Sequence, residues 1–218
     1  MPKTKSTTSA KRKSAKRPLK RQNAGYGTSL MCPPQNYSKP EKKDISSAGP
    51  IVSTVAVADQ FITTAPLING ISQGVGSSQR IGRQILMKSL ELTISCQFGP
   101  TPSNNITAPR LVVFYDRQAA VSSPAITSVF NTNHFQSYKN LSSKDRFIIL
   151  IDAYIEPIGG VDNLRRSQTF YRKLNLPVMF NGTGSSASDI TTGTIQYYYG
   201  SSDISSCFVT SRIMYTDA

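Results

Sequence analysis

Histidine, tryptophan and acid are what this chain lacks. Its 218 residues include one histidine, no tryptophan, and 12 Asp and Glu against 25 Lys and Arg. The lone His134 removes any histidine-rich metal site, and as part of a triad it would need Ser or Cys and Asp partners that sequence does not place. CxxC, HExxH and DxD patterns are absent. The three cysteines, Cys32, Cys96 and Cys207, are odd in number and widely spaced, which predicts neither a zinc site nor a disulfide framework. No apolar run approaches the roughly 20 residues of a membrane-crossing helix. The first residues are charged where a secretory signal would be apolar, which points to synthesis in a reducing compartment. The Asn-x-Ser/Thr triplets at Asn36, Asn105, Asn140 and Asn181 are therefore read as coincidence. Enzymatic activity, a cofactor, a metal and a membrane all find no support.

What is present is segregated charge. Within the first 21 residues, Lys3, Lys5, Lys11, Arg12, Lys13, Lys16, Arg17, Lys20 and Arg21 are basic and no residue is acidic. With Leu19 as its one large apolar side chain beyond Met1, this stretch cannot offset the entropy of ordering, and it is expected to be a disordered arm. A dense cationic arm without aromatics holds polyanions by phosphate contact and counterion release, independent of base sequence. Through Lys43 the chain carries 12 bases and one acid, Glu41. The remainder holds 13 of the 25 bases and 11 of the 12 acids, a net charge of only +2. A folded basic groove would spread its charge over the body.

Residues 22–50, with four prolines, three glycines and no sustained periodicity, read as a linker that is ordered only in part. From Ile51 the pattern becomes short strands between turns, first over 51–62. Gly70 to Gly82 is a glycine- and serine-rich loop, but neither a GK[ST] nor a helix follows it, so it is no phosphate cradle. Ser89 to Phe98 alternates strictly, with Leu90, Leu92, Ile94, Cys96 and Phe98 on one face, as in an antiparallel sheet with one wet side. Cys96 falls on that apolar face, where it acts as a small buried hydrophobe.

Further strands are predicted over 110–118, apolar enough to lie mid-sheet, then 146–157, 167–181 with Pro177 as a break or bulge, 194–200, and 206–216. Residues 124–138 open with a proline and predict a short helix or irregular excursion. About eight strands with uneven connections and no βαβ alternation predict an all-β fold. It is an eight-stranded jelly-roll sandwich of two antiparallel sheets over residues 51–218.

The remaining polar candidates read structurally. Asp116, Asp145, Asp152 and Asp162 each have a basic residue within several positions (Arg117, Arg146, Lys144, Arg165) and predict ion pairs at the surface or between subunits. In Tyr197-Tyr198-Tyr199 alternation sets Tyr198 opposite its neighbours, which favours core or interface packing over base stacking.

The segment VFNTNHFQSYKNLSSKDRFIILIDAYIEP (129–157) resembles the capsid proteins of small circular Rep-encoding single-stranded DNA viruses. The likeness rests on an FNxxHF-type segment and then Asn140-Leu141, Lys144, Arg146-Phe147 and Leu150 to Asp152. RIGRQILMKSLEL (80–92) is similar to their RxGxxxxxKSL opening strand, and RLVVFYDRQ to the strand after it. Coat proteins of small RNA satellite viruses share the layout. The resemblance implies a single-jelly-roll subunit, about 60 copies of which close an icosahedral T=1 shell around a single-stranded genome, DNA before RNA. The arm would point inward onto that genome. Lys11, Arg12, Lys13, Lys16, Arg17, Lys20 and Arg21 would also form a two-cluster nuclear localisation signal read by a host import receptor. The expected locations are the virion and the host nucleus. A cellular nucleic-acid-binding β-sandwich with a basic tail is the alternative, and a jelly-roll hydrolase is more remote. Uniform closed particles separate the first from the second.

Overall fold

The computed structural model describes residues 41–49, 59–62, 64–98, 108–118, 123–156, 165–202 and 205–218. They build two antiparallel sheets. One has the order β1-β9-β3-β6-β7, with β1 Lys42–Gly49, β3 Gln84–Phe98, β6 Arg165–Phe180, β7 Ile190–Thr192 and β9 Ser205–Asp217. The other has the order β2-β8-β4-β5, with β2 Gln60–Phe61, β4 Arg110–Asp116, β5 Phe147–Tyr154 and β8 Thr194–Ser201. This is the jelly roll that uneven strand spacing predicted.

Two strands lie outside the expected set. β1 occupies the end of the stretch read as linker, so order begins before Ile51, and residues 38–218 group as one compact unit. The other unit, 1–37, lies outside the described residues, as do 51–58 of the expected first strand. β7 is a three-residue edge strand in the span between the strands predicted over 167–181 and 194–200. Residues 99–107, between two of the predicted strands, also lie outside the described residues.

Alternation decides the core. Leu90, Leu92, Ile94 and Cys96 of β3 and Cys207, Val209, Ile213 and Tyr215 of β9 all point between the sheets and are buried. Upstream, Ile85 and Met87 are buried too, on the opposite parity. A bulge between Met87 and Ser89 resets the count, because Lys88 has no partner on β9. β6 is one continuous 16-residue strand running through Pro177, which pairs with Leu86, and its irregularity sits opposite Lys88. The Pro177 carbonyl accepts the Tyr115 hydroxyl at 2.6 Å across the sandwich.

β4 and β8 lie inside their sheet and are buried along their whole length. Leu111, Val113, Tyr115, Ile195, Tyr197 and Tyr199 join the core between the sheets. Val112, Phe114 and Tyr198 face the other way, into a second cluster with Phe61, Ile126, Val129, Phe130, Phe135 and Phe147. The tyrosine run thus packs on both faces, as alternation predicted. The second cluster exists because residues 123–146 fold back over the sheet instead of leaving it wet. α1, Ile126–Val129, is a single turn of this cover, and the carbonyl of Pro124 just ahead of it accepts the Tyr198 hydroxyl.

Candidate functional site

The nine arm cations, Lys3 to Arg21, lie outside the described residues; what the structure describes is the strand the arm leads into. Of its first two lysines, Lys42 is exposed and Lys43 is buried. The Lys43 ammonium pairs with Asp217 Oδ2 at 2.9 Å and donates to the Gln79 carbonyl at 3.0 Å. A lysine held in this way is taken out of the basic tract and serves to fasten β1. Arg212 and Asp44 pair more loosely on the exposed face, at 3.2 Å.

Beside it, the glycine-rich loop closes around a cation. Arg80, fully buried, donates to the carbonyls of Ile71 and Gly82 at 3.0 and 2.7 Å and to that of Gly182, and its guanidinium stacks 4.0 Å from the Phe180 ring centroid. Burial lowers its pKa against the pull of Asp189 and Asp217. The loop is therefore filled by its own arginine, which leaves no phosphate cradle.

The aspartates show a different partnership from the one expected. Asp116 pairs with Arg146 rather than Arg117, through Arg146 Nε and Nη2 at 2.9 and 2.8 Å. Asp152 accepts both Nε and Nη2 of Arg110 at 2.7 Å. Asp116 is fully buried, so its pair is interior and not at the surface, whereas Asp152 is exposed and binds the buried Arg110 from the rim of the neighbouring strand. The sequence neighbours misled because alternation sends Arg117 to the other side of the chain from Asp116.

The two pairs stand at opposite ends of β4 and pin the cover at both ends of the aromatic cluster. Arg110 Nη1 also donates to the carbonyls of Phe135 and Ser137, at 3.0 and 2.8 Å, and the guanidinium lies over the Phe130 and Tyr154 rings. Arg146 lies 4.7 Å from the Phe147 ring centroid. Burial would lower the Arg110 pKa, but the Asp152 hydrogen bonds raise it overall; for Arg146 the bonds to Asp116 dominate and raise it. Arginine suits both places because its planar fork matches a carboxylate with two parallel bonds. Asp162 lies outside the described residues, and the Asp145 carbonyl accepts Arg117 Nη1 at 3.1 Å.

Cys96 and Cys207 correct the cysteine reading: they form a disulfide. They stand opposite each other on β3 and β9, with Cα atoms 4.2 Å apart, close enough for the bond only because of the sheet register. An odd count and a separation of 111 residues concealed the pair. His134 is exposed, stacks on Phe135, and accepts the Gln136 amide at Nδ1, 3.1 Å away. Among the described residues no group of three His, Cys, Asp or Glu could hold a metal ion.

The model of the family described as satellite tobacco necrosis virus coat protein matches residues 48–218. No curated protein matches the sequence. Among solved structures, the capsid protein of the circovirus BFDV, determined as a 60-mer, aligns over 81% of this chain and 92% of its own, with 10% identity and a TM-score of 0.32.

Proposed function

The chain belongs to the satellite tobacco necrosis virus coat protein family and is a viral capsid protein, and on that premise we propose how it divides its labour. The jelly roll tiles with copies of itself, about 60 of them closing a T=1 icosahedral shell. The arm, Lys3 to Arg21, reaches inward and neutralises the phosphates of a packaged single-stranded genome, circular DNA in this reading. Lys11 to Arg21 also carries the subunit into the host nucleus. The observation that supports this most is the charge partition: nine cations and no acid in the first 21 residues, against a net +2 after Lys43. Within the body, Lys43, Arg80, Arg110 and Arg146 are already committed to internal partners. A polyanion would thus be held by the arm and screened by salt in proportion to the phosphates it contacts.

Deleting residues 1–21 is expected to leave shells that close but carry little nucleic acid, with the truncated subunit outside the nucleus. Sizing the particles and digesting their contents with DNase and with RNase tests both cargo and arm. Particles of the truncated protein with undiminished contents overturn the assignment, and contents sensitive only to RNase overturn DNA as the cargo.

A further inference from the structure

The cover over the second aromatic cluster turns its phenylalanines inward and two large side chains outward: Tyr138 is 84% exposed and Leu141 75%. They sit on backbone that is held fast. The Tyr138 carbonyl accepts the Asn131 amide at 3.0 Å, and the Ser137 carbonyl accepts Arg110 Nη1 at 2.8 Å. Lys139 Nζ donates to the Phe147 carbonyl at 3.0 Å. Asn140 donates its amide to the Val129 carbonyl at 2.8 Å and its side chain to the Thr127 carbonyl at 3.1 Å, and its Oδ1 accepts the Ser142 amide, capping the 3-10 turn that carries Leu141. Apolar side chains on a mobile loop must be ordered when they dock. Here the ordering has been done by folding, so docking keeps more of its binding free energy. Tyrosine adds a large rigid contact area of the kind that dominates interfaces.

We propose that Tyr138 and Leu141 are a preformed apolar knob by which one subunit docks on a second copy of this chain. The inference rests on the shell reading. A closed shell of identical subunits needs contacts between unlike patches of the same surface, and a fixed protrusion is one half of such a contact. Neither residue belongs to the arm, so substituting them leaves its nine cations unchanged and is expected to act on assembly and not on cargo.

The test compares wild type with the Y138S/L141S variant by sedimentation velocity and electron microscopy across a concentration series, with thermal melting of the dissociated subunits. The variant is expected to melt with the wild type, because both side chains are exposed, and to need at least about tenfold more protein to form particles. Tyr138→Lys, which would place a charge in the contact, is expected to do the same. Variants that assemble at the wild-type concentration overturn the inference while the shell reading stands. So do variants that assemble normally but no longer attach to host cells, which would make the knob a receptor contact. Wild-type protein that forms no particles overturns both.

Discussion

Arg146 and Asp116, 30 residues apart in sequence, meet in a two-bonded pair in which the arginine is 30% exposed and the aspartate fully buried. The inequality sets the direction of mutational effects. Arg146→Ala strands a buried carboxylate and is expected to cost about 3–5 kcal/mol. Asp116→Asn leaves an arginine that can turn to water and is expected to cost about 1–3 kcal/mol. Chemical denaturation of dissociated subunits measures both. Equal losses would mean that Asp116 is solvated once its partner goes.

At Gly193 the backbone has φ +92, and an added Cβ would stand 2.6 Å from the Pro177 carbonyl oxygen and 2.9 Å from the Tyr115 hydroxyl. Those two groups form a hydrogen bond between the sheets, so neither can withdraw freely. The Gly193 carbonyl also accepts the buried Asn69 side chain at 2.8 Å. Gly193→Ala is therefore expected to destabilise the subunit by about 1–3 kcal/mol, readable as a lowered Tm. Gly193→Asn, which tolerates a left-handed backbone better but not the crowding, should recover little.

The disulfide between Cys96 and Cys207 closes a loop of 111 residues, which in the chain-entropy account removes about 4–5 kcal/mol of unfolded-state freedom. Alkylation in denaturant without reductant should label one of the three cysteines per chain, Cys32, and all three after reduction. Reduction, or Cys96→Ser with Cys207→Ser, should lower the denaturation midpoint. Three labels without reductant would show that the thiols remain free in the folded protein.

Alkali should reveal the buried tyrosines. Burial pushes the hydroxyls of Tyr197 and Tyr198 up, and that of Tyr215 up to about 12. For an acid whose folded pKa is raised, the contribution to stability is complete below the unfolded value near 10 and is lost as pH rises towards the folded one. Stability is thus expected to fall from about pH 10 upward, with late tyrosine ionisation at 295 nm coinciding with loss of near-ultraviolet circular dichroism. Ionisation of every tyrosine with the fold intact would contradict this burial.

Legibility in the sequence followed the reach of each interaction. The alternation of Leu90–Cys96 and of Cys207–Tyr215 set their buried faces, and the parity of Tyr197 to Tyr199 set two packing directions, because period two is a local property of a pleated strand. β1 was not legible: KKDISSAG has one large apolar residue, Ile45, and is a strand because β9 offers it an edge to pair with. Alternation also could not foresee the bulge at Lys88, where parity changes.

What the sequence determined unaided is the partition of charge, the class of fold and the central place of β4, since these depend on composition and on neighbours one or two residues away. Tertiary structure alone decided that Arg146 belongs to Asp116, Arg110 to Asp152 and Cys96 to Cys207, and that Arg80 fills its own loop. Pairings across 30, 42 and 111 residues follow from strand order and register, which arise from the chain packing as a whole.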